Sequence, residues 1–268
     1  LPTNYGDSPY QSCASDALNY YFIDLDALER EGLLEKADYA FLDWGADPRR
    51  VDYEKLFLHR AEVLKKAFAR FDRTASDWKK FLKTGKYRDF ALFMSLKSKF
   101  SYLPWTEWPE PYRLCDEKTI GAFMAENGDE LEFWQFTQYL FLRQWNALKA
   151  YAHENGVEIM GDMPIYVASD SVEMWKYRGE LFLLDEKGAP AAVAGVPPDA
   201  FSADGQLWGN PVYDWEKLKG NGYAWWHARI DYALTLFDIL RIDHFRGFDR
   251  FYAIPAGAAD AKEGGWLK

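Results

Sequence analysis

Ten consecutive residues, Ile239 to Phe248 (I-L-R-I-D-H-F-R-G-F), carry a dense set of groups able to do chemistry: Arg241, Asp243, His244 and Arg246. The apolar start of the stretch predicts a short strand, in which alternate residues share a face. Arg241 and Asp243 are therefore expected to point the same way. A guanidinium beside a carboxylate favours its ionised form, and an ionised, oriented carboxylate suits a nucleophile or an electrostatic stabiliser. The same pair fits a structural ion pair at a strand end equally well. A second aspartate, Asp162, closes another apolar run, V-E-I-M-G-D-M-P-I-Y-V from Val157 to Val167, with Pro164 ending the strand.

Each of these strands follows a predicted helix. Glu130 to Asn155 places Phe133, Phe136, Leu140, Phe141, Trp145, Leu148 and Ala152 along one stripe, and Asn155-Gly156 stops it. Tyr223 to Phe237 repeats the pattern ahead of Ile239 to Ile242. Helix, turn, strand and terminal aspartate thus occur twice, which is an α/β signature. The carboxyl ends of parallel strands are where a barrel enzyme keeps its chemistry. Only two such units are clear, against the eight of a barrel. Leu1-Pro2-Thr3 is no natural start, and Gly264 to Lys268 carry no predicted terminal element. A smaller fold or an internal piece of a longer protein is expected.

Between the two units, Ala194 to Tyr213 is rich in Gly, Pro, Asp and aromatics without a clear period. A long irregular loop in a compact domain is usually functional, and an active-site loop or lid is expected here. Upstream, Asp52 to Phe71 and Phe90 to Phe100 predict helices, with Gly85 breaking the charged stretch between them. The proline-aromatic segment Tyr102 to Tyr112 reads as a packed loop rather than a polyproline ligand. Tyr5 to Ser12, Y-G-D-S-P-Y-Q-S, is a turn rich in stacking and hydrogen-bonding groups.

Composition narrows the function classes. With 49% hydrophobic and 28% charged residues the chain is an ordinary globular one, and a net charge of -10 argues against nucleic acid. Aromatics, at 18%, exceed what is ordinary, and suit both a core and the stacking of sugars or bases. Two cysteines, Cys13 and Cys115, make no disulfide framework and predict free thiols in a reducing, cytoplasmic setting. No run reaches the ~18 apolar residues of a membrane span. His59, His153, His227 and His244 lack metal-ligand spacing. Walker A, Gly-x-Gly-x-x-Gly and G-x-S-x-G motifs are absent, so no metal and no cofactor is expected. What remains is carboxylates with aromatics, a combination that points to glycoside chemistry.

Four segments carry a resemblance: Y-G-D-S-P-Y-Q-S, G-D-M-P-I-Y-V, the A-G-V-P-P-D-x-F-S-x-x-G-Q-x-W-G-N-P-x-Y pattern at 194–213, and R-I-D-H-F-R-G-F. Together, and in this order, they resemble the amylomaltases, 4-α-glucanotransferases of the α-amylase superfamily. The resemblance implies an α/β fold that is part of a (β/α)8 barrel with an inserted, mostly helical subdomain. Residues 1–30 would hold a substrate-binding turn after the second strand, 31–130 the insertion, and 131–268 the third and fourth strands with the 194–213 loop. Asp243 then corresponds to the nucleophile and Arg241 to its electrostatic partner. Asp162, His244, Tyr10, Ser8, Gln11, Asp199, Gln206, Trp208 and Asn210 correspond to sugar-binding positions, with Tyr5 on a stacking surface. The acid/base glutamate would come from later strands outside these 268 residues, so the chain alone is expected to be inactive and poorly stable. The implied reaction moves a segment of an α-1,4-glucan to the 4-hydroxyl of glucose or another glucan by a retaining double displacement. An α-glucan hydrolase and a non-catalytic glucan-binding fragment are the alternatives.

Overall fold

The computed structural model describes residues 1–3 and 5–268, with Tyr5 described by its backbone alone. In chain order the helices are α1 (Leu25–Arg30), α2 (Tyr53–Arg70), α3 (Ser76–Thr84), α4 (Arg88–Lys99), α5 (Glu110–Arg113), α6 (Glu117–Glu126), α7 (Gly128–Glu154), α8 (Val172–Lys176), α9 (Arg178–Leu181), α10 (Trp215–Gly220) and α11 (Ala224–Leu236). The strands are β1 (Met160–Met163), β2 (Ala192–Val196), β3 (Gln206–Pro211), β4 (Ile239–Ile242), β5 (Phe251–Pro255) and β6 (Gly265–Leu267).

The helical part forms where the apolar spacing places it. Asp52 caps α2 by accepting from the Lys55 amide at 3.1 Å, and Val63, Leu64, Ala67 and Phe68 turn inward. Gly85, at φ +66°, ends α3 in the left-handed conformation that glycine adopts without steric cost. The first half of α7 buries Leu131, Phe133, Trp134, Phe136 and Leu140, whereas Leu148 and Tyr151 further along are exposed. Phe68, Phe71, Trp78, Phe136 and Tyr139 meet edge-on or tilted at the centre of this helical region, arrangements that the ring quadrupoles favour. Much of the aromatic excess is therefore core. The Tyr102 to Tyr112 segment is packed as expected, with Trp105 and Trp108 buried.

β1 and β4 pair in parallel, with Asp162 opposite Arg241 and Met163 opposite Ile242. α7 leads into β1 and α11 into β4, the α/β arrangement expected. Asp238 joins the lower ends of both units. Its carboxylate accepts from the Ile159 amide at 2.9 Å and meets His153 and Lys149 at 2.9 and 3.0 Å. These contacts, the amide first, hold it well below the ordinary carboxylate range. Gly161 lets α11 close on the strands, since a Cβ there would stand 2.2 Å from the Phe237 ring.

Two expectations need correction. Residues 194–213 are not an irregular loop: β2 and β3 pair antiparallel across them, leaving 197–205 as the connection. β5 and β6 extend this into a four-stranded sheet of order β3-β2-β5-β6, so 264–268 do hold a terminal strand. On its other side β2 pairs with β5, some 60 positions further on, a partner that no local pattern reveals. One buried cluster runs from Leu64, Trp78 and Phe136 in the helices to Met163, Ile165 and Tyr213 beneath the strand ends. Both cysteines are free; burial pushes the Cys13 thiol up to about 12. Among the described residues no helix is long and apolar enough to cross a membrane. None of their His, Cys, Asp and Glu side chains groups as a metal site.

Candidate active site

Asp243 directly follows β4, and its amide donates to the Met163 carbonyl at 3.0 Å, which continues the parallel ladder one residue past the strand. Arg241, two residues earlier on the same face, does not pair directly with Asp243 as expected. Its Nε donates to Asp162 Oδ1 at 2.9 Å, and its Nη2 meets the other oxygen of the same carboxylate. The ladder explains this: Asp162 is the residue opposite Arg241 across β1 and β4, and a two-pronged carboxylate contact suits the guanidinium fork. Asp162 raises the Arg241 guanidinium further above its ordinary value, with a smaller contribution from Asp243. Arg241 thus lies between two carboxylates, bonded to one and acting on the other through its field.

Asp243 and His244 line a cleft of about 300 Å³ together with Tyr10, Gln11, Trp208, Asn210, Pro164, Ile165 and Tyr166. Tyr10 and Asp243 line the same cleft, and the charge of that carboxylate is the main reason the phenol is pushed above its ordinary value. His244 sits in the left-handed region at φ +49°. Burial lowers its imidazole below the ordinary value, against the pull of Asp243, which leaves a neutral ring at pH 7. Its Nε2 has no partner among the described residues. Trp208 stands edge-on to His244 at 5.0 Å between ring centres, and Tyr166 tilts towards both.

The remaining expected residues build the frame. Asn210 is 5% exposed, and its Nδ2 donates to the Val167 carbonyl at 2.8 Å and the Tyr10 carbonyl at 3.3 Å. Gln11 Nε2 reaches the Trp208 carbonyl at 3.5 Å. Ser8 does not line the cleft; it caps the 3-10 turn Pro9–Gln11 that presents Tyr10. Gln206 accepts from the Trp208 indole at 3.0 Å. Asp199 is spent on the 197–205 connection, where it accepts from the amides of Phe201 and Ser202. The side chain of Tyr5 lies outside the described residues. Pro164, Ile165 and Tyr166 were not singled out from the sequence, although they fall in the same G-D-M-P-I-Y-V run as Asp162. Their position just past a strand end was the available signal.

A parallel α/β pair with acidic groups at its carboxyl ends, facing aromatic rings across a cleft, defines an α/β protein with a strand-end polar site. The chain belongs to the 4-alpha-glucanotransferase family, whose family model matches residues 1–268. It is 46% identical to the 4-alpha-glucanotransferase of Thermus thermophilus over 100% of this chain and 54% of the relative. It is 45% identical to that of Streptococcus pneumoniae over 99% of this chain and 54% of the relative. The amylomaltase from Streptococcus agalactiae, solved in complex with acarbose, superposes with a TM-score of 0.94 at 41% identity, over 100% of this chain and 55% of that one. The chain spans about half the length of the curated relatives it matches.

Proposed function

We propose that the cleft is the nucleophile-bearing half of an α-1,4-glucan transfer site. The observation that carries this reading is Asp243 at the end of a parallel strand, facing Tyr10 and flanked by His244 and Trp208. In the proposed reaction a carboxylate oxygen of Asp243 bonds to the anomeric carbon while the bond to the leaving glycosidic oxygen breaks. That oxygen takes its proton from an acid elsewhere in the full-length protein. The 4-hydroxyl of glucose or another glucan then displaces Asp243 and returns a proton, so the anomeric configuration is retained. Arg241, held by Asp162, supplies a fixed positive field beside the nucleophile. Trp208 and Tyr166 offer apolar faces for sugar rings, and the neutral His244 offers a hydrogen bond to a hydroxyl.

The reading extends to organisation. Residues 1–30 contribute the turn with Tyr10, 31–130 the helical insertion, and 131–268 the strands and the hairpin. A (β/α)8 barrel in the full-length protein would place β1 and β4 side by side as its third and fourth strands. Free thiols and maltooligosaccharide substrates suit the cytoplasm.

The test is Asp243→Asn in a polypeptide completed to the length of the relatives, incubated with maltotriose. Redistribution of chain lengths should disappear in the variant, while the unsubstituted protein redistributes them with little gain in reducing ends. Persistent redistribution in the variant removes Asp243 from the role. A steady rise in reducing ends with the unsubstituted protein replaces transfer with hydrolysis.

A further inference from the structure

Arg229, on α11, is 4% exposed and does not line the cleft of Asp243. Its recorded hydrogen bonds go to backbone: Nη1 to the Ile165 carbonyl at 3.1 Å and Nη2 to the Pro164 carbonyl at 2.6 Å. Among the described residues it forms no ion pair with a carboxylate, and its Nε has no partner. Two indole rings, Trp225 and Trp226, lie 5.2 and 5.1 Å from the guanidinium. A buried charge without a counter-ion is costly, and carbonyl dipoles with indole faces offset only part of that cost. Stability alone favours an apolar side chain at this position.

The two carbonyls belong to residues that line the cleft. A third donor converges on the same turn, since the buried Tyr213 phenol gives its proton to the Ile165 carbonyl at 2.8 Å. The next residue, Tyr166, stacks on Tyr213 with ring planes 16° apart and tilts against Trp208 and His244. An unbroken path of contacts therefore leads from the Arg229 guanidinium to the rings beside Asp243. We propose that Arg229 is a positioning residue, which uses its unpaired charge to lock the Pro164–Tyr166 turn and thereby fixes the Tyr166 and Trp208 faces over the cleft. That these faces receive a glucan rests on the function proposed above; that Arg229 locks them does not.

No ring contact or hydrogen bond joins Arg229 to Trp208, so the indole N–H signal of Trp208 in a ¹H–¹⁵N spectrum of a polypeptide completed to the length of the relatives reports on the turn. Arg229→Met should displace or broaden that signal while those of Trp78 and Trp134, in the helical core, stay in place. Arg229→Lys, which keeps a donor to one carbonyl, should restore at least half of the displacement. An unmoved Trp208 signal in Arg229→Met overturns the proposal. If Arg229→Met loses the Trp78 and Trp134 signals through unfolding, Tyr213→Phe decides, because it removes one donor to Ile165 and keeps the ring. A smaller Trp208 displacement is then expected, and none overturns the proposal. Acarbose titrated into the folded chains should bind Arg229→Met about tenfold more weakly than the unsubstituted chain, with Arg229→Lys in between. Failure of the unsubstituted chain to bind acarbose counts against the glucan reading alone, and the Trp208 signal still decides the role of Arg229.

Discussion

The helical region and the strand-end region solve opposite problems. Around Trp78 and Phe136 the chain buries aromatic rings against one another. Around Asp162 and Asp243 it leaves carboxylates and a guanidinium open, with Met160 and Ile239 also exposed on the parallel pair. The first arrangement gains free energy from burial and dispersion. The second holds polar groups in a fixed order by backbone ladder, opposed charge and buried staples. A site built this way takes its precision from residues that never face the cleft.

That contrast can be broken most strongly from the helical side. Phe136→Ala should cost about 3–5 kcal/mol in urea unfolding, while Met160→Ala, on the exposed strand, should stay within about 0.5 kcal/mol. Equal losses would show that the strand pair is as tightly packed as the helices. Next in size is the tie between the regions. Lys97 on α4 is 3% exposed, bonds the Asp170 carboxylate and donates to the Leu103 carbonyl at 3.0 Å. Asp170 in turn accepts from the Trp105 amide at 3.1 Å. Lys97→Met should destabilise the chain by about 1–3 kcal/mol by removing the ammonium that bonds Asp170 and the Leu103 carbonyl, and a loss below about 0.5 kcal/mol would show that the two regions do not lean on this contact.

The smallest effect is one of pH. Burial, with Glu173 and Asp89 adding and Lys86 opposing, pushes the Asp16 carboxyl up to about 6. A carboxyl raised in the folded state binds its proton more tightly than in the unfolded chain. Stability therefore falls as pH rises from about 4 to 6 and levels above that. The Asp16 side chain is 39% exposed, so solvent screening trims the effect. Asp16→Asn should flatten this part of the stability curve; an unchanged slope would assign it to another group.

Local pattern revealed much of this molecule and missed what depends on distant partners. Asp52, Gly85 and the apolar stripe of α7 announce the helices because capping and periodicity are local. Ile239 to Ile242 was legible as a strand for the same reason. The hairpin of β2 and β3 was not, since Gly195, Gly209, Asn210 and Pro211 carry poor strand propensity and the second partner of β2 is the distant β5. The Arg241 contact was misplaced because the nearest carboxylate in sequence is Asp243, whereas the nearest in space lies across the ladder on β1. Arg229 gave no signal at all, as a lone arginine in a helix reads as a surface residue.

The side-chain amide of Asn210 bonds to carbonyls 200 and 43 positions away. Closing loops of that length is slow, because the entropy of closure is lost before the contact is gained. The backbone hydrogen bonds within the helices between Tyr53 and Glu154 close only about four positions at a time, although their rings meet across longer gaps, as Phe68 does with Phe136. A refolding chain should therefore form its helices first and its cleft last, and pulsed hydrogen exchange would show α7 protected before the Asp243 amide, whose acceptor is the Met163 carbonyl of the distant β1. The cleft then inherits its shape from a scaffold that has already set.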